Sequence, residues 1–332
     1  MLGQRFEAEI REQPEALRRI ARSHRAREFA NAVDERDVVL VGSGSSLHVA
    51  MLGALALRRR GARAAALAAT EAAFERGACR GRTVVALSQS GRSADVLRAV
   101  ELLAPTRLVA LTNSADSPLA ARADVVIDIE AGREQAVPAT KSVTTMVAVV
   151  LWGAALVAAT SDRNAATLAR AADELGRWLE DAAATQLVAQ AAQRIARRHS
   201  VAVVGAGYGV PVALELALKL KESTYLHAEG FAAGEFRHGS AAILDAATAL
   251  VGVVDEASRT VVERPLDEAE RSETLRYVVG ADVAGITRLG PILDEPFNTL
   301  GWLVTGQLLA LYVGRARGID GDEPRGLRKF IT

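Results

Sequence analysis

The chain has 332 residues, and half of them are hydrophobic, which is enough apolar material for two average domains or one large one. Its formal net charge is zero at pH 7. A nucleic-acid partner would require a basic face, so this charge argues against one. The single cysteine, Cys79, excludes an intramolecular disulfide and a cysteine zinc cluster. It fits a protein of the reducing cytosol.

The N-terminal residues carry charge but no apolar core of signal-peptide length, so we expect no secretion signal. The most apolar window, Val143–Thr160, is marginal in length for a membrane span, and no loop charge pattern supports one. We therefore predict that this window forms a buried core helix. We expect a cytoplasmic protein without a membrane partner.

In chain order, residues 5–36 have apolar positions at helical spacing, with a break marked by Pro14, and predict a solvated helical cap. Asp37–Gly42 then predicts a short buried strand. The turn Ser43-Gly44-Ser45-Ser46 and a helix over Leu47–Arg60 follow it. A strand, a turn of small residues and a helix together point free backbone N–H groups at an anion.

The same turn partly matches a dinucleotide-binding fingerprint, because Gly42 and Gly44 fit that pattern. Leu47 occupies the third glycine position, and a lone partial fingerprint is weak evidence. Serine hydroxyls in place of glycine favour direct hydrogen bonds to a compact, oxygen-rich ligand.

A second polar turn, Ser88-Gln89-Ser90-Gly91-Arg92-Ser93, follows a strand at Arg82–Leu87 and precedes a helix over Ala94–Leu103. Its serines, its glutamine amide and the first N–H groups of the helix could surround a phosphate, with Arg92 adding a charge. A serine-rich turn by itself is more often only a helix N-cap. Two such turns at the carboxyl ends of parallel strands favour a ligand site, because ligands of open α/β sheets bind there.

The pattern of strand, glycine turn and helix occurs twice. Matching runs begin at Val38 and Val201, an offset of 163 residues, and an amphipathic helical segment predicted over Ala165–Arg197 links the two halves. This repeat predicts two sheets of similar topology. In the second half the equivalent strand, Ala249–Val254, runs into Asp255-Glu256 instead of serines, so we expect one phosphate site per chain.

The first helix of the second half is apolar except for Glu215, Lys219 and Glu222, which are spaced i, i+4, i+7 on one face. One interpretation is an internal salt-bridge ladder. The other is a charged stripe that faces a cleft or a partner. His238 follows sixteen residues after Glu222. A closing helix over Asn298–Arg315 precedes a polar tail, which by itself predicts a frayed end.

Four segments together resemble the tandem sugar isomerase (SIS) domain family: Leu87–Val96, Val137–Thr145, Leu216–Gly239 and Asp322–Phe330. The resemblance covers nearly the whole chain, and Leu216–Gly239 is its longest and most specific segment. It is closest to the isomerase half of glutamine:fructose-6-phosphate amidotransferase and to stand-alone relatives, among them the SIS-type glucosamine-6-phosphate deaminases.

The resemblance implies an α/β fold of two flavodoxin-like SIS subdomains, each a parallel sheet flanked by helices. The domain boundaries that follow are a helical lead-in (1–36), a first SIS domain that binds the sugar phosphate (37–160), linking helices (161–198), a second SIS domain with the catalytic helix and histidine (199–317), and a catalytic tail (318–332).

The resemblance also implies roles for single residues. Those that match phosphate-binding positions are Ser45, Ser46, Ser88, Gln89, Ser90 and Ser93. Val137 matches a backbone contact to the sugar. Glu222 matches the base that moves a proton between C1 and C2, with Lys219 one turn before it. His238 matches a ring-opening acid/base supplied by the neighbouring subunit of a homodimer, and Lys329 matches a tail lysine that forms a Schiff base with the open ketose.

Departures from the family pattern bear on the reaction. Arg92 stands where the synthase usually has glutamate, which favours the deaminase branch. The sequence starts Met1-Leu2 without a nucleophilic cysteine, so we expect that this chain does not make ammonia from glutamine. Residues Asp255–Gly285 align poorly, and their strands are not placed by the sequence.

The preferred hypothesis is a glucosamine-6-phosphate deaminase of SIS type that acts on a small sugar phosphate without a cofactor. Proton transfer and amine departure require no metal, and His48, His199 and His227 show no ligand spacing with one another. The alternatives are a deglycase for phosphorylated sugar–amine adducts, an isomerase half fed by a separate glutaminase, and a non-catalytic sugar-phosphate sensor.

Overall fold

The computed structural model describes residues 2–33, 37–157 and 163–329. The strands are β1 (Asp37–Gly42), β2 (Arg63–Ala68), β3 (Thr83–Leu87), β4 (Arg107–Thr112), β5 (Val125–Asp128), β6 (Ser200–Gly205), β7 (His227–Ala232), β8 (Thr248–Val254), β9 (Leu275–Gly280) and β10 (Thr287–Leu289). The helices are α1 (Gln4–Arg11), α2 (Gln13–Arg22), α3 (Arg25–Ala32), α4 (Ser45–Arg58), α5 (Ala94–Leu103), α6 (Lys141–Leu156), α7 (Asn164–Glu180), α8 (Ala182–Ile195), α9 (Gly209–Thr224), α10 (Ala233–Phe236), α11 (Arg259–Glu270) and α12 (Asn298–Ala316).

Within the described ranges the chain divides into two compact units. We call residues 15–134, 141–170 and Lys329 the serine-loop unit. We call residues 2–14, 135–140 and 171–328 the glutamate-helix unit. The domain boundaries given from the sequence stay a prediction.

The serine-loop unit is built on a parallel sheet in the order β2-β1-β3-β4-β5. Every residue of β3 is buried, as its unbroken apolar run predicts for a strand that is covered on both faces. The helix α6 packs against α3 and α4 and is buried along nearly its whole length. This confirms the core helix predicted for the window Val143–Thr160, of which residues 158–160 lie outside the described part of the chain.

The glutamate-helix unit contains the second parallel sheet, in the order β10-β9-β8-β6-β7. Read from β7 to β10, this order repeats that of the first sheet from β2 to β5. β1 starts at Asp37 and β6 at Ser200, which is the offset of 163 residues seen in the sequence. The predicted fold class, α/β with two flavodoxin-like subdomains and an internal repeat, is confirmed.

Both repeats require glycine at the end of their first strand. A Cβ on Gly42 would lie 2.6 Å from the carbonyl carbon of Ser46, and one on Gly205 would lie 2.2 Å from the carbonyl oxygen of Gly209. Because no side chain fits there, each helix starts directly against its strand. α9 carries Pro211 in its first turn, where proline is tolerated.

The segment between the two repeats, which was predicted to be helical, forms two helices, α7 and α8, which are separated at Asp181. The Asp181 carboxylate accepts hydrogen bonds from the backbone N–H groups of Ala183 and Ala184. An aspartate in this position starts a new helix, because it satisfies donors that have no partner within the helix.

The segment Asp255–Gly285, which the sequence left without placed strands, contains α11 and β9. β9 pairs with β8 on one side and with β10 on the other. Among the residues that the structure describes, no helix is long and apolar enough to cross a membrane.

Candidate functional site

A polar cavity of about 190 Å³ opens at the carboxyl ends of β1 and β3 in the serine-loop unit. The residues that line it are Ser43, Gly44, Ser88, Gln89, Ser90, Ser93, Asp95 and Lys329. Four of the six predicted phosphate-binding residues therefore lie around one cavity together with the predicted tail lysine. The cavity occupies the position at which ligands of open parallel sheets bind.

The turn at residues 88–93, which we call the serine loop, is held by contacts with the segment after β4. The backbone N–H of Asn113 donates to the Gln89 carbonyl oxygen at 3.0 Å, and that of Leu119 donates to the Gly91 carbonyl oxygen at 3.1 Å. Gly91 has φ 60°, and a Cβ there would lie 2.0 Å from Ser117 Oγ. The loop backbone is therefore fixed before any ligand binds, which lowers the entropy cost of binding.

Two hydroxyls of the cavity are not used by the protein itself. Ser93 stands at the N-cap of α5, but its side chain makes no capping hydrogen bond. The Ser43 hydroxyl is buried and has no hydrogen-bond partner within the described ranges. Buried hydroxyls are normally paired, so the Ser43 hydroxyl is suited to an acceptor atom of a ligand, and the half-buried Ser93 hydroxyl is open to one as well.

Ser45 and Ser46, also predicted to hold the phosphate, lie in the first turn of α4. They follow Gly44, which has φ 55°, and the Ser46 N–H donates to the Ser43 carbonyl oxygen at 3.2 Å. Ser43 was not among the predicted site residues, although it lines the cavity. The serine-glycine turn after β1, which led to the prediction of Ser45 and Ser46, also contains Ser43.

The charged residues of the lining are Lys329 and Asp95. Lys329 attracts an anion, whereas the Asp95 carboxylate, in the first turn of α5, repels one. Arg92, which the sequence suggested as an added charge, has an exposed side chain. Within the lining, the groups that favour an anion are therefore Lys329 and the positive end of the α5 dipole.

Lys329 is held by a residue that the sequence analysis did not single out. Its Nζ lies 3.0 Å from Oε2 of Glu134, whose side chain is fully buried, while 15% of the lysine side chain is exposed. The Glu134 carboxylate also accepts hydrogen bonds from the backbone N–H and the hydroxyl of Ser142, at 3.1 and 2.7 Å. These contacts hold the Glu134 carboxylate in place, and its contact with Lys329 fixes the ammonium beside the serine loop.

The predicted charged face of α9 is present in the glutamate-helix unit. Lys219 Nζ lies 3.5 Å from Glu215 Oε1 and 2.6 Å from Glu222 Oε2, so both contacts of the salt-bridge ladder are formed. The side chains of Glu215 and Lys219 are each 1% exposed, and that of Glu222 is 18% exposed. Glu222 is thus the end of the ladder that a molecule from outside can reach.

The remaining predicted residues also belong to the glutamate-helix unit. His238, just after α10, has an exposed side chain, and its backbone N–H donates to the Glu235 carbonyl oxygen at 2.9 Å. Val137 is half-buried, and its backbone N–H donates to the Asp322 carbonyl oxygen at 3.2 Å. Across residues 2–33, 37–157 and 163–329, no three His, Cys, Asp or Glu side chains are grouped so as to hold a metal ion.

Comparison with known proteins shows which family the chain belongs to. A glutamine–fructose-6-phosphate aminotransferase (isomerizing) of Pyrobaculum aerophilum is 32% identical over 342 residues, an alignment that covers 98% of this chain. This chain spans 56% of the length of that relative.

Two solved structures share the fold. The C-terminal domain of glucosamine-fructose-6-phosphate aminotransferase from Francisella tularensis has a TM-score of 0.81 at 24% identity, over 97% of this chain and 98% of that one. A glucosamine-6-phosphate deaminase from Thermotoga maritima has a TM-score of 0.80 at 22% identity, over 99% of both chains. The SIS domain family matches residues 33–156 and 194–264, more than half of the sequence. The chain belongs to the SIS domain family.

Proposed function

We propose that the chain is a glucosamine-6-phosphate deaminase of SIS type, which converts glucosamine 6-phosphate and water into fructose 6-phosphate and ammonia. The observation that carries the proposal is the cavity lined by the serine loop, the Lys329 ammonium and the Ser43 hydroxyl, which has no partner in the part of the chain that the structure describes. Hydroxyl donors and one fixed cation match the acceptor oxygens and the negative charge of a phosphate.

The phosphate supplies binding energy away from the reacting atoms. A buried hydroxyl without a partner costs about 1–3 kcal/mol, and a phosphate oxygen that accepts from Ser43 would recover that cost. The serine loop is already fixed, so this binding energy can be used to position the sugar. An unphosphorylated sugar should therefore lose turnover as well as affinity.

Proton transfer is assigned to Glu222. In the open-chain aldehyde, the carboxylate takes the proton from C2, which gives an enolamine, and returns a proton to C1. The product is a 2-imino sugar, and one water converts its C=N bond into the ketone as one ammonia leaves. Lys219, 2.6 Å from Glu222, keeps the carboxylate oriented during these steps.

Two further residues complete the proposal. The exposed His238 is assigned to ring opening in a second copy of the chain, which makes a homodimer the active form. Lys329 is assigned to Schiff-base formation with the open ketose. Its ammonium must lose a proton before it can attack a carbonyl, and Glu134, at 3.0 Å, is a base in contact with it.

A second candidate is the isomerase half of an aminotransferase, in which fructose 6-phosphate receives ammonia and the same steps run in reverse. The observation that favours it is the name of the 32% identical relative, glutamine–fructose-6-phosphate aminotransferase (isomerizing). Arg92, in place of the glutamate usual in the synthase, favours the deaminase instead.

The test is a release assay with glucosamine 6-phosphate, unphosphorylated glucosamine and a phosphorylated fructosyl–amine adduct. Ammonia and fructose 6-phosphate are measured together, and Glu222→Gln is the control. We expect both products in equal amounts from glucosamine 6-phosphate and very little from glucosamine. Release from the adduct alone would make the chain a deglycase, and binding without any turnover would make it a sensor.

A further inference from the structure

A second cavity, of about 210 Å³, lies in the glutamate-helix unit at the carboxyl ends of β8 and β9. β8 occupies the position in its sheet that β3 occupies in the other. Where β3 leads into the serine loop, β8 leads into Asp255 and Glu256. Both sheets therefore have a cavity at this edge. The second cavity has carboxylates where the first has the serine loop, so it is not suited to an anion in the same way.

The inner end of this cavity presents hydrogen-bond donors that the protein does not use. Trp302 is only 2% exposed, and its indole N–H has no partner in the described part of the chain. Asn298 is 8% exposed; its Oδ1 accepts from the Thr299 N–H at 3.0 Å, and its amide nitrogen has no partner among the described residues. Both residues line the cavity, so these two donors are open to an acceptor atom of a ligand.

Gly280 keeps the indole N–H uncovered. It has φ 102°, and a Cβ at this position would lie 2.5 Å from Trp302 Nε1. Any other residue would therefore sit on the donor. Asn298 and Trp302 both belong to the start of α12, where the helix dipole favours negative charge. The inner end is thus suited to a carboxylate.

The rim of the cavity, in contrast, favours positive charge. Of its four carboxylates, Glu256 is paired with Arg259, and Asp282 lies 2.7 Å from Arg288. Asp255 accepts a backbone N–H from Ser258 at 2.6 Å and has no ion pair within the described ranges. Glu295 is exposed and likewise has none there. Two uncompensated carboxylates at one opening attract a cation.

We infer that this cavity binds a small zwitterion, with its carboxylate against Trp302 and Asn298 and its ammonium against Asp255 and Glu295. Free α-amino acids are the chemical class with these two groups. A cavity of about 210 Å³ has room for a molecule of this size. The site is distinct from the serine-loop cavity and does not depend on the function proposed for it.

The test is calorimetric titration of the full chain with glycine, L-serine, methylamine and acetate. We expect saturable binding of the two amino acids, and binding of methylamine and acetate at least about tenfold weaker, because each carries one of the two charged groups. Absence of amino-acid binding would overturn the inference. So would methylamine or acetate binding as tightly as glycine.

Two variants test whether the amino acid binds in this cavity. Glu295→Gln removes one rim charge without touching a backbone contact, and Trp302→Phe removes the indole N–H while keeping an aromatic ring. Each should weaken glycine binding severalfold, with the melting temperature of Glu295→Gln unchanged. Glu270→Gln, an equal charge change on the exposed end of α11, should leave binding as it is. Undiminished binding in Glu295→Gln would rule out this placement of the ammonium.

Discussion

Lys219 Nζ lies 2.6 Å from Oε2 of Glu222, although the lysine side chain is 1% exposed and the glutamate 18%. The same ammonium lies 3.5 Å from the buried Glu215. Removal of one partner from a buried ion pair is costly when it leaves the other charge unpaired. Because Lys219 has a carboxylate on each side, loss of the Glu222 charge still leaves it one counter-charge.

The first prediction separates catalysis from stability on this helix. Glu222→Gln keeps the side-chain volume and one hydrogen-bonding oxygen, but the amide cannot accept a proton from C2. We expect a folded protein that still binds fructose 6-phosphate and loses about 10²-fold or more in kcat. The measurements are turnover and the melting temperature with and without ligand.

Glu215→Gln is the matched comparison, because it removes the other carboxylate of the same lysine. Its site is fully buried, so the variant should lower the melting temperature clearly more than Glu222→Gln does. Normal turnover in a well-folded Glu222→Gln protein would leave the three residues as a structural salt-bridge ladder.

The second prediction concerns the hydroxyls of the serine-loop cavity. Ser43 Oγ is buried and has no partner among the described residues, and Ser93 makes no capping bond. Ser43→Ala and Ser93→Ala should therefore not show the loss of about 0.5–2 kcal/mol that follows removal of a working cap or a paired hydroxyl. Both should raise KM for the sugar phosphate, since each removes a donor to the phosphate.

Ser23→Ala is the control for this pair, because the Ser23 hydroxyl donates to the Ile20 carbonyl oxygen away from the cavity. It should leave KM unchanged. If Ser93→Ala destabilised the protein with KM unaltered, the serine would be an N-cap and the phosphate placement would be wrong.

Much of the fold could be predicted, because the local pattern of strand, glycine turn and helix occurs in both halves of the internal repeat. The glycine turns after β1 and β6 and the offset between Asp37 and Ser200 are visible in the sequence, and both sheets follow from them. The boundary between the linking helices α7 and α8 was not placed from the sequence, because the apolar period continues across Asp181. The Asp181 side chain, which caps α8, was the sequence feature that could have indicated this boundary.

The site was less predictable where partners are far apart in the chain. Glu134 stands in a polar loop, and its lysine partner is 195 residues away, so no local pattern joins the two. The same holds for Trp302 and Gly280, whose close approach depends on the packing of α12 against β9. Local sequence indicates which side chains are reactive, whereas tertiary packing decides which of them meet.

The third prediction concerns acid stability. Burial acts to raise the pKa of Glu7, but hydrogen bonds and charge from Arg315 and Arg11 outweigh it and lower the pKa below its usual value of 4.5. A carboxyl whose pKa is lower in the folded state stabilises the protein above its unfolded-state pKa. This contribution is lost as the pH falls through the folded-state value.

Glu7→Gln should therefore be less stable than the parent protein near neutral pH, with a difference that shrinks as the pH falls below about 4.5. Urea unfolding of both proteins over a range of pH measures this difference. A difference that stays constant at low pH would show that Glu7 contributes through packing rather than through its charge.

The fourth prediction concerns Lys329. Borohydride reduction in the presence of fructose 6-phosphate should fix the sugar on this lysine, and peptide mass spectrometry can distinguish it from the three other lysines of the chain. Lys329→Arg should abolish the adduct. Glu134→Gln should slow its formation, because the lysine loses the base that lies 3.0 Å away. An equal rate in Glu134→Gln would mean that Glu134 only holds the tail in place.

The last prediction concerns assembly. The His238 side chain is exposed, whereas Glu222 is partly buried in its own helix, so the proposal assigns His238 to a second copy of the chain. In a homodimer, mixing of inactive Glu222→Gln and inactive His238→Ala chains should restore activity, because one of the two sites in each mixed dimer receives an intact glutamate and an intact histidine. Random exchange makes half of the dimers mixed, so recovery should reach about a quarter of parental activity per chain. Mixing of Glu222→Gln with the double variant Glu222→Gln/His238→Ala is the control and should restore none. If exchange is verified by mass spectrometry and the first mixture stays inactive, each site takes both residues from a single chain.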